Sequence, residues 1–92
     1  MSSPDRAALI RERLMQAFAP DRLEIIDESH KHAGHASAKG GGHFAVHIVS
    51  PAFAGKNLVQ RHRMVYEAMG DLMQQEVHAL SIKAETPDET TR

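Results

Sequence analysis

The sequence predicts an α+β fold in which helices cover one face of a three-stranded sheet. Two patterns predict it. Apolar residues recur at three- and four-residue spacing near the start of the chain and again in its second half, which is typical of amphipathic helices. Three other segments have the apolar and polar alternation of strands with one buried face. The predicted order is helix, strand, strand, short helix, helix, strand.

The first helix has signals at both ends. Ser3 and Pro4 suit its N-cap and first helical position, and Pro20 stops it. Its apolar stripe consists of Ala7, Ile10, Leu14 and Phe18. Residues 23–29 then have the pattern of a strand, and the pattern dissolves into a loop over residues 30–42.

Residues 43–49 show the clearest alternation in the chain and predict the second strand. Its more apolar side consists of Phe44, Val46 and Ile48. Ser50 followed by Pro51 repeats the cap-and-proline signal. It predicts a short helical turn through Phe53, which Gly55 closes.

A longer helix follows, capped by Asn57, and its apolar stripe places His62 on or beside the buried face. The stripe consists of Leu58, His62, Val65, Met69 and Leu72, widened by Ala68 and Met73. Residues 77–84 return to period two and predict the last strand. One side of that strand consists of His78, Leu80 and Ile82. The polar tail over residues 87–92 is predicted to fray.

Length and composition indicate one ordinary domain over residues 1–92, with a core over about residues 4–86. The chain is 41% hydrophobic and 25% charged, which is usual for a soluble globular protein. No segment approaches the roughly 20 apolar residues that cross a bilayer. The N-terminus also lacks the apolar core of a signal peptide. We therefore expect a cytoplasmic protein with no membrane contact.

Three features of the sequence limit its function. The absence of cysteine excludes disulfides, a nucleophilic thiol and any thiolate metal site built by this chain alone. A formal net charge of -1 argues against the broad basic field of proteins that bind nucleic acid non-specifically. Neither Ser50 nor Ser81 lies in a nucleophile elbow, so no enzyme chemistry is expected.

Seven histidines are the compositional anomaly, since imidazole is a metal ligand and also titrates near neutral pH. His30, His32 and His35 lie close together in the predicted loop, and a flexible histidine-rich tract is a known kind of metal-binding element. Solvated loop histidines without a ligand are the commoner outcome. The spacing by itself leaves both interpretations open.

A basic cluster lies around the start of the long helix and consists of Lys56, Arg61, His62 and Arg63. Fixed positive charges beside an imidazole suit electrostatic docking, either to an acidic protein partner or to phosphates. Arginines are also common on solvated helix faces that bind nothing. The cluster therefore predicts a contact surface without identifying the partner.

Four short motifs together resemble the BolA family. They follow the family's order F-x-G, R-H-R, H-A-L and T-P-x-E, at Phe53-Ala54-Gly55, Arg61-His62-Arg63, His78-Ala79-Leu80 and Thr86-Pro87-Asp88-Glu89. The resemblance covers residues 9–89. It departs at Asn57, where the family commonly has serine, and at Thr90, where tryptophan is frequent. It implies a type II KH-like form of the α+β fold and a non-enzymatic protein.

The resemblance also implies a pair of histidine ligands. His78 matches the histidine of H-A-L. His32 matches the ligand of the family's variable loop, and His35 is the alternative because this loop is longer than in several relatives. The ligands would hold a [2Fe-2S] cluster shared with a monothiol glutaredoxin, which contributes its active-site cysteine and a bound glutathione. Imidazole ligands of this kind occur in Rieske-type centres.

On this interpretation the isolated chain carries no cofactor, and the heterodimer serves iron-sulfur trafficking or iron sensing. Two other functions stay open. The family is also associated with DNA binding and transcription regulation, for which Lys56, Arg61 and Arg63 would contact phosphates. Against this, the Gly-x-x-Gly clamp of KH modules is missing and aromatic residues are scarce. The third is a zinc-binding protein that uses the loop histidines, although structural zinc sites need four fixed ligands.

Overall fold

The elements follow the predicted order, with two further short helices. The computed structural model describes residues 3–28, 42–75 and 77–90. The elements are α1 (Ser3–Phe18), β1 (Arg22–Asp27), β2 (Gly42–Val49), a 3₁₀ turn (Pro51–Phe53), α2 (Leu58–Met69), α3 (Leu72–Gln75), β3 (Val77–Glu85) and α4 (Pro87–Thr90). Most of the predicted loop, including His32 and His35, lies outside the described residues. Within the described ranges, no helix is long and apolar enough to cross a membrane.

The three strands form one sheet in the order β1-β2-β3, so the predicted fold class is confirmed. β1 is antiparallel to β2, whereas β3 is parallel to it. A hairpin cannot connect parallel neighbours, so the chain crosses over through the 3₁₀ turn, α2 and α3 before β3 begins. The closer correspondence to the type II KH arrangement stays a prediction.

The core lies between one face of the sheet and the two long helices. Its fully buried side chains from α1, β2 and α2 are Ile10, Leu14, Phe44, Val46, Ile48, Val65 and Met69. Phe53 of the 3₁₀ turn is also fully buried, and its ring centroid lies 5.0 Å from that of Phe18. Burying each large apolar side chain contributes about 1.5–3 kcal/mol. The face predicted from the alternation in β2 is therefore the face that the helices cover.

The start of α2 confirms the predicted cap but not the predicted stripe. The Asn57 side chain accepts a hydrogen bond from the Gln60 N–H at 2.8 Å, and the Gln60 side chain accepts one from the Asn57 N–H at 2.9 Å. Leu58 was predicted to be buried, but it is 65% exposed. One turn later Arg61 already contacts Ala84 near the end of β3. The first turn of α2 therefore projects beyond the sheet.

The predicted long helix also breaks at Gly70, which the apolar periodicity does not indicate. Gly70 has φ +56°, in the region that favours glycine. Arg13 of α1 donates to the Met69 carbonyl at 2.9 Å and so satisfies an acceptor at the helix end. Leu72 then returns to the core as part of the separate helix α3.

Ser50 links the end of β2 to α1 and to the 3₁₀ turn. The residue is fully buried. Its hydroxyl donates to the Phe18 carbonyl at 2.9 Å and accepts from the Ala52 N–H at 3.1 Å. The cap predicted from the sequence therefore also holds the C-terminal end of α1.

The chain after Thr86 is helical and anchored, so the prediction of a frayed tail is wrong for α4. Glu89 accepts a hydrogen bond from the Thr86 N–H at 2.9 Å. Its two carboxylate oxygens accept from the Arg61 guanidinium at 2.7 and 3.1 Å. The same guanidinium donates to the carbonyls of Lys56 and Ala84, each at 2.9 Å. We call this set of contacts the Arg61–Glu89 clamp, and it ties together α2, β3 and α4.

The clamp changes the ionisation of both charged groups. Hydrogen bonds from the Arg61 guanidinium and then from the Thr86 backbone lower the pKa of Glu89 from 4.5 to about 2. The hydrogen bond to Glu89 raises the pKa of Arg61. A carboxylate with a lowered pKa in the folded state stabilises the fold above its unfolded pKa. That contribution disappears as the pH falls through the folded value.

Removing the buried hydroxyl with Ser50→Ala should destabilise the protein by about 1–3 kcal/mol, because the Phe18 carbonyl and the Ala52 N–H lose their partner. Urea unfolding measures the change. Ser81→Ala removes an exposed hydroxyl and is the matched control, with an expected effect of about 0.5 kcal/mol or less. Equal effects of the two substitutions would contradict the role assigned to Ser50.

Glu89→Gln should remove the pH dependence that the clamp contributes. The wild type should lose its stability advantage over the variant as the pH falls from 4.5 to about 2, because Glu89 becomes protonated in that window. Urea midpoints over a pH series measure this difference. Glu67→Gln, an exposed substitution on α2, should follow the wild type. A constant difference between wild type and Glu89→Gln across the window would contradict the clamp.

Candidate functional site

The candidate site lies at the end of the sheet where β1 finishes and β2 and β3 begin. Just after β1, Glu28 donates its N–H to the His43 carbonyl at 2.7 Å. β2 starts at Gly42, which pairs with Val77, the first residue of β3. Glu28 and Gly42, which flank residues 29–41, therefore both lie at this end of the sheet.

His78 lies in β3 at the same end, where the pairing with β2 is irregular. Gly42 pairs with Val77, but the next residue of β2, His43, pairs with Ala79. His78 is thus an extra residue with no counterpart in β2, as in a β-bulge. Such bulges occur frequently beside functional sites, where they redirect a side chain on an otherwise regular strand.

Of the predicted ligand set, the structure describes only the backbone of His78. That backbone lies beside Gly42, which directly follows the segment 29–41 that contains His32 and His35. The conformation of that segment and the side chain of His78 lie outside what the structure describes. The assignment of the three histidines as ligands therefore stays a prediction.

Sequence reasoning missed one further histidine at this site. His43 pairs with Ala79, the neighbour of His78, and is half-buried. The signal was present, because His43 directly follows the glycine run with which the predicted loop ends. Because His43 fits the alternation of β2, the sequence pattern indicated only an ordinary strand residue.

The R-H-R motif lies toward the other end of β3. α2 runs antiparallel to this strand, because Arg61 contacts the Ala84 carbonyl whereas Tyr66, later in the helix, donates to the Leu80 carbonyl at 3.4 Å. Ala84 follows His78 by six residues. That separation corresponds to about 20 Å along a strand. The R-H-R and H-A-L motifs therefore do not form one compact site.

The predicted contact residues of this region differ in their surroundings. The Arg61 side chain is 12% exposed, and its charge is paired with Glu89 in the clamp. His62 is half-buried, and its Nε2 atom has no hydrogen-bond partner within the described part of the chain. Lys56 and Arg63 are exposed. These two residues present the charge of the predicted cluster to solvent.

Apolar side chains accompany these charges on the exposed side of α2. Leu58, Val59 and Tyr66 are 65%, 63% and 41% exposed. Together with Lys56 and Arg63 they form what we call the α2 outer surface. Aromatic, apolar and arginine side chains are typical of protein contacts, whereas phosphate-binding patches depend mainly on their cations.

The described side chains do not form a metal site by themselves. Among them, no group of three or more histidine, cysteine, aspartate or glutamate residues could hold a metal ion. The chain also has no cysteine. Any metal centre at the sheet end would have to draw on His78, on segment 29–41 or on a partner protein.

Known sequences match this chain along most of its length. A family model described as "BolA-like protein" matches residues 14–89. The chain is 46% identical over 90 residues to Protein BOLA1, chloroplastic, of Arabidopsis thaliana, which covers 94% of this chain and 56% of that protein. It is 39% identical over 77 residues to the DNA-binding transcriptional regulator BolA of Escherichia coli (strain K12), covering 84% of this chain and 71% of that one.

A solved structure agrees as well. The BolA domain of SufE1 from Arabidopsis thaliana superposes with a TM-score of 0.82 at 45% identity, covering 97% of this chain and 98% of that one. This chain spans 24% of the whole SufE-like protein 1. Membership of the BolA-like family confirms the expectation of a non-enzymatic protein. The extent of these matches and the shared architecture show that the chain belongs to the BolA-like family.

Proposed function

We propose that the chain is a BolA-like adaptor that pairs with a monothiol glutaredoxin and shares a bridging [2Fe-2S] cluster with it. The observation that supports this most is the register at the start of β3. His78 follows Val77, which pairs with Gly42 at the end of segment 29–41. A strand histidine thus lies one residue from the pairing partner of Gly42, the residue that directly follows the histidine-rich segment. The pair of proteins would serve iron-sulfur trafficking or iron sensing.

The donor set of the chain fits a shared cluster better than a resident one. His78 and either His32 or His35 can supply imidazole nitrogens, but the chain supplies no thiolate. The partner's cysteine and a bound glutathione would provide the remaining ligands. When bound, the cluster supplies one-electron chemistry at a potential that imidazole ligation raises.

The sheet holds the backbone of His78 in place, and the α2 outer surface extends toward the same end of the sheet. The backbone of His78 belongs to a strand that pairs with β2 on both sides of the bulge, so its position is defined before a partner binds. The α2 outer surface reaches toward the same end through Tyr66, which contacts Leu80, two residues from His78. A protein bound at the sheet end can therefore also contact α2.

His78→Ala should abolish the spectrum of the shared cluster because it removes an imidazole ligand. The experiment mixes the protein with a monothiol glutaredoxin, glutathione, iron and sulfide, and records visible absorption and circular dichroism. His47→Gln, an imidazole substitution in the middle of the same sheet, is the matched control and should give the wild-type spectrum. A wild-type spectrum from His78→Ala would exclude that residue as a ligand.

Two further arms of this experiment test where the other ligand comes from. The double variant His32→Ala, His35→Ala should lose the spectrum, whereas His43→Gln should keep it. The opposite result would show that His43 in β2, and not a loop histidine, is the second ligand. The isolated wild-type chain should form no stable cluster, and a stoichiometric cluster on it would contradict the shared arrangement.

A DNA-binding regulator is the second candidate, favoured by the name of the Escherichia coli relative. The clamp weakens the phosphate-contact role of Arg61, because that guanidinium already binds Glu89 and two carbonyls. Lys56 and Arg63 would then carry the contacts. Two exposed cations with apolar neighbours favour a protein partner over a phosphate backbone.

The double variant Lys56→Ala, Arg63→Ala separates the two candidates. We expect it to slow association with the glutaredoxin and to reduce its salt dependence, because steering charges are lost. Arg11→Ala, an exposed arginine substitution on α1, should change neither. If the protein regulates by binding DNA, the double variant should instead weaken DNA binding across sequences. The salt slope should then fall by about one per lost contact.

A further inference from the structure

The sheet has a second face, which lies opposite the long helices. On it the register aligns one residue from each strand in rows. The first row is Ile26, Ala45 and Ser81, the second is Glu24, His47 and Lys83, and the third is Arg22, Val49 and Glu85. We call these three rows the open face, although the centre of the third row is covered, since Val49 is only 3% exposed. Ile26 is 57% exposed there, although it is a large apolar residue.

The charges of the open face have opposite signs on its two outer strands. In the second row, Glu24 on β1 is 58% exposed and Lys83 on β3 is 70% exposed. The third row has Arg22 on β1 and Glu85 on β3, but Glu85 is only 21% exposed and its Oε1 already lies 2.6 Å from Nε2 of His47 and 4.0 Å from Nζ of Lys83. The second row therefore carries most of the charge complementarity. A surface with this arrangement is complementary to a copy of itself that is turned so that β1 faces β3.

The first row has a shape that is complementary to the same row of a second copy. Ile26 projects at one side of the face, and small side chains follow it across the sheet at Ala45 and Ser81. An open cavity of about 210 Å³ lies here, lined by Ile26, Ala45, His47, Ser81, Ile82 and Lys83. One large apolar side chain from outside can fill such a trough. The Ile26 of a second copy has the matching position.

We propose that the open face binds a second copy of this chain, through a two-fold axis that runs parallel to β2 between the two sheets. This rotation places β1 of one copy over β3 of the other. Glu24 then faces Lys83 of the second copy, and Ile26 enters the trough beside its Ser81. Stacked sheets pack about 10 Å apart, a distance that side chains of this length span.

The size of the face determines how strong this association can be. Three strands and three rows cover at most roughly 15 by 20 Å, and the covered Val49 in the third row reduces the accessible part further. A standard stable interface buries about 800 Å² per partner. The dimer is therefore weak and depends on protein concentration. It uses the face of the sheet opposite the long helices, and its first row adjoins the His43–Ala79 pair at the sheet end, so the dimer and the proposed glutaredoxin complex occupy neighbouring surfaces.

Charge exchange tests the geometry directly. Sedimentation equilibrium from micromolar to millimolar concentration should show a monomer–dimer equilibrium for the wild type. Lys83→Glu places two carboxylates opposite each other, and Glu24→Lys places two ammonium groups opposite each other. Each should weaken self-association at least about tenfold. An equimolar mixture of these two variants should associate again, because every facing pair then has opposite charges.

Ile26→Asp should also abolish self-association, while Met15→Asp, an exposed apolar residue on α1, should leave it unchanged. Amide spectra of each variant show whether the fold is intact. Recovery in the mixture supports the proposal even if one single variant is less stable. A monomeric wild type at millimolar concentration would overturn it. Dimerisation that is insensitive to Ile26→Asp, or a mixture that stays monomeric, would do the same.

Discussion

The parallel pairing of β3 with β2 is the constraint on which the rest of the structure depends. Because no hairpin can join these strands, residues 50–76 must cross one face of the sheet before β3 begins. This crossing carries α2 and α3, and with α1 it covers the apolar face and completes the core. It also returns the chain to the end of the sheet where β2 starts, which places the backbone of His78 beside Gly42 and His43. One topological requirement thus builds both the core and the candidate site.

At the other end of β3 the Arg61–Glu89 clamp closes the crossing. The guanidinium binds a carboxylate and two carbonyls from three different parts of the chain, so α4 is held against the end of the sheet. The R-H-R and T-P-x-E motifs are therefore joined by a structural contact. Arg63 in the same motif is exposed. Neighbouring motif residues thus have separate roles, one in the fold and one on the surface.

The two faces of the sheet differ in burial, because successive residues of each strand point to opposite faces. Facing the helices, Phe44, Val46 and Ile48 are almost completely buried. On the open face, His47 lies between two carboxylates, with Nδ1 at 3.3 Å from Glu24 and Nε2 at 2.6 Å from Glu85. His47 thus connects the two outer strands of that face through polar contacts. The covered face supplies most of the core, whereas on the other face Glu24 and Ile26 are exposed and Val49 is buried.

The sequence by itself determined the class of the fold and most of its elements. Prolines, the Asn57 cap and the alternation of residues 43–49 act over a turn or a strand, so local patterns are enough to predict them. Tertiary structure decided the rest. The partner of Arg61 lies 28 residues away, the bulge at His78 exists only through pairing with β2, and the exposure of Leu58 depends on where β3 ends. Each of these features results from contacts between distant residues, which no local periodicity encodes.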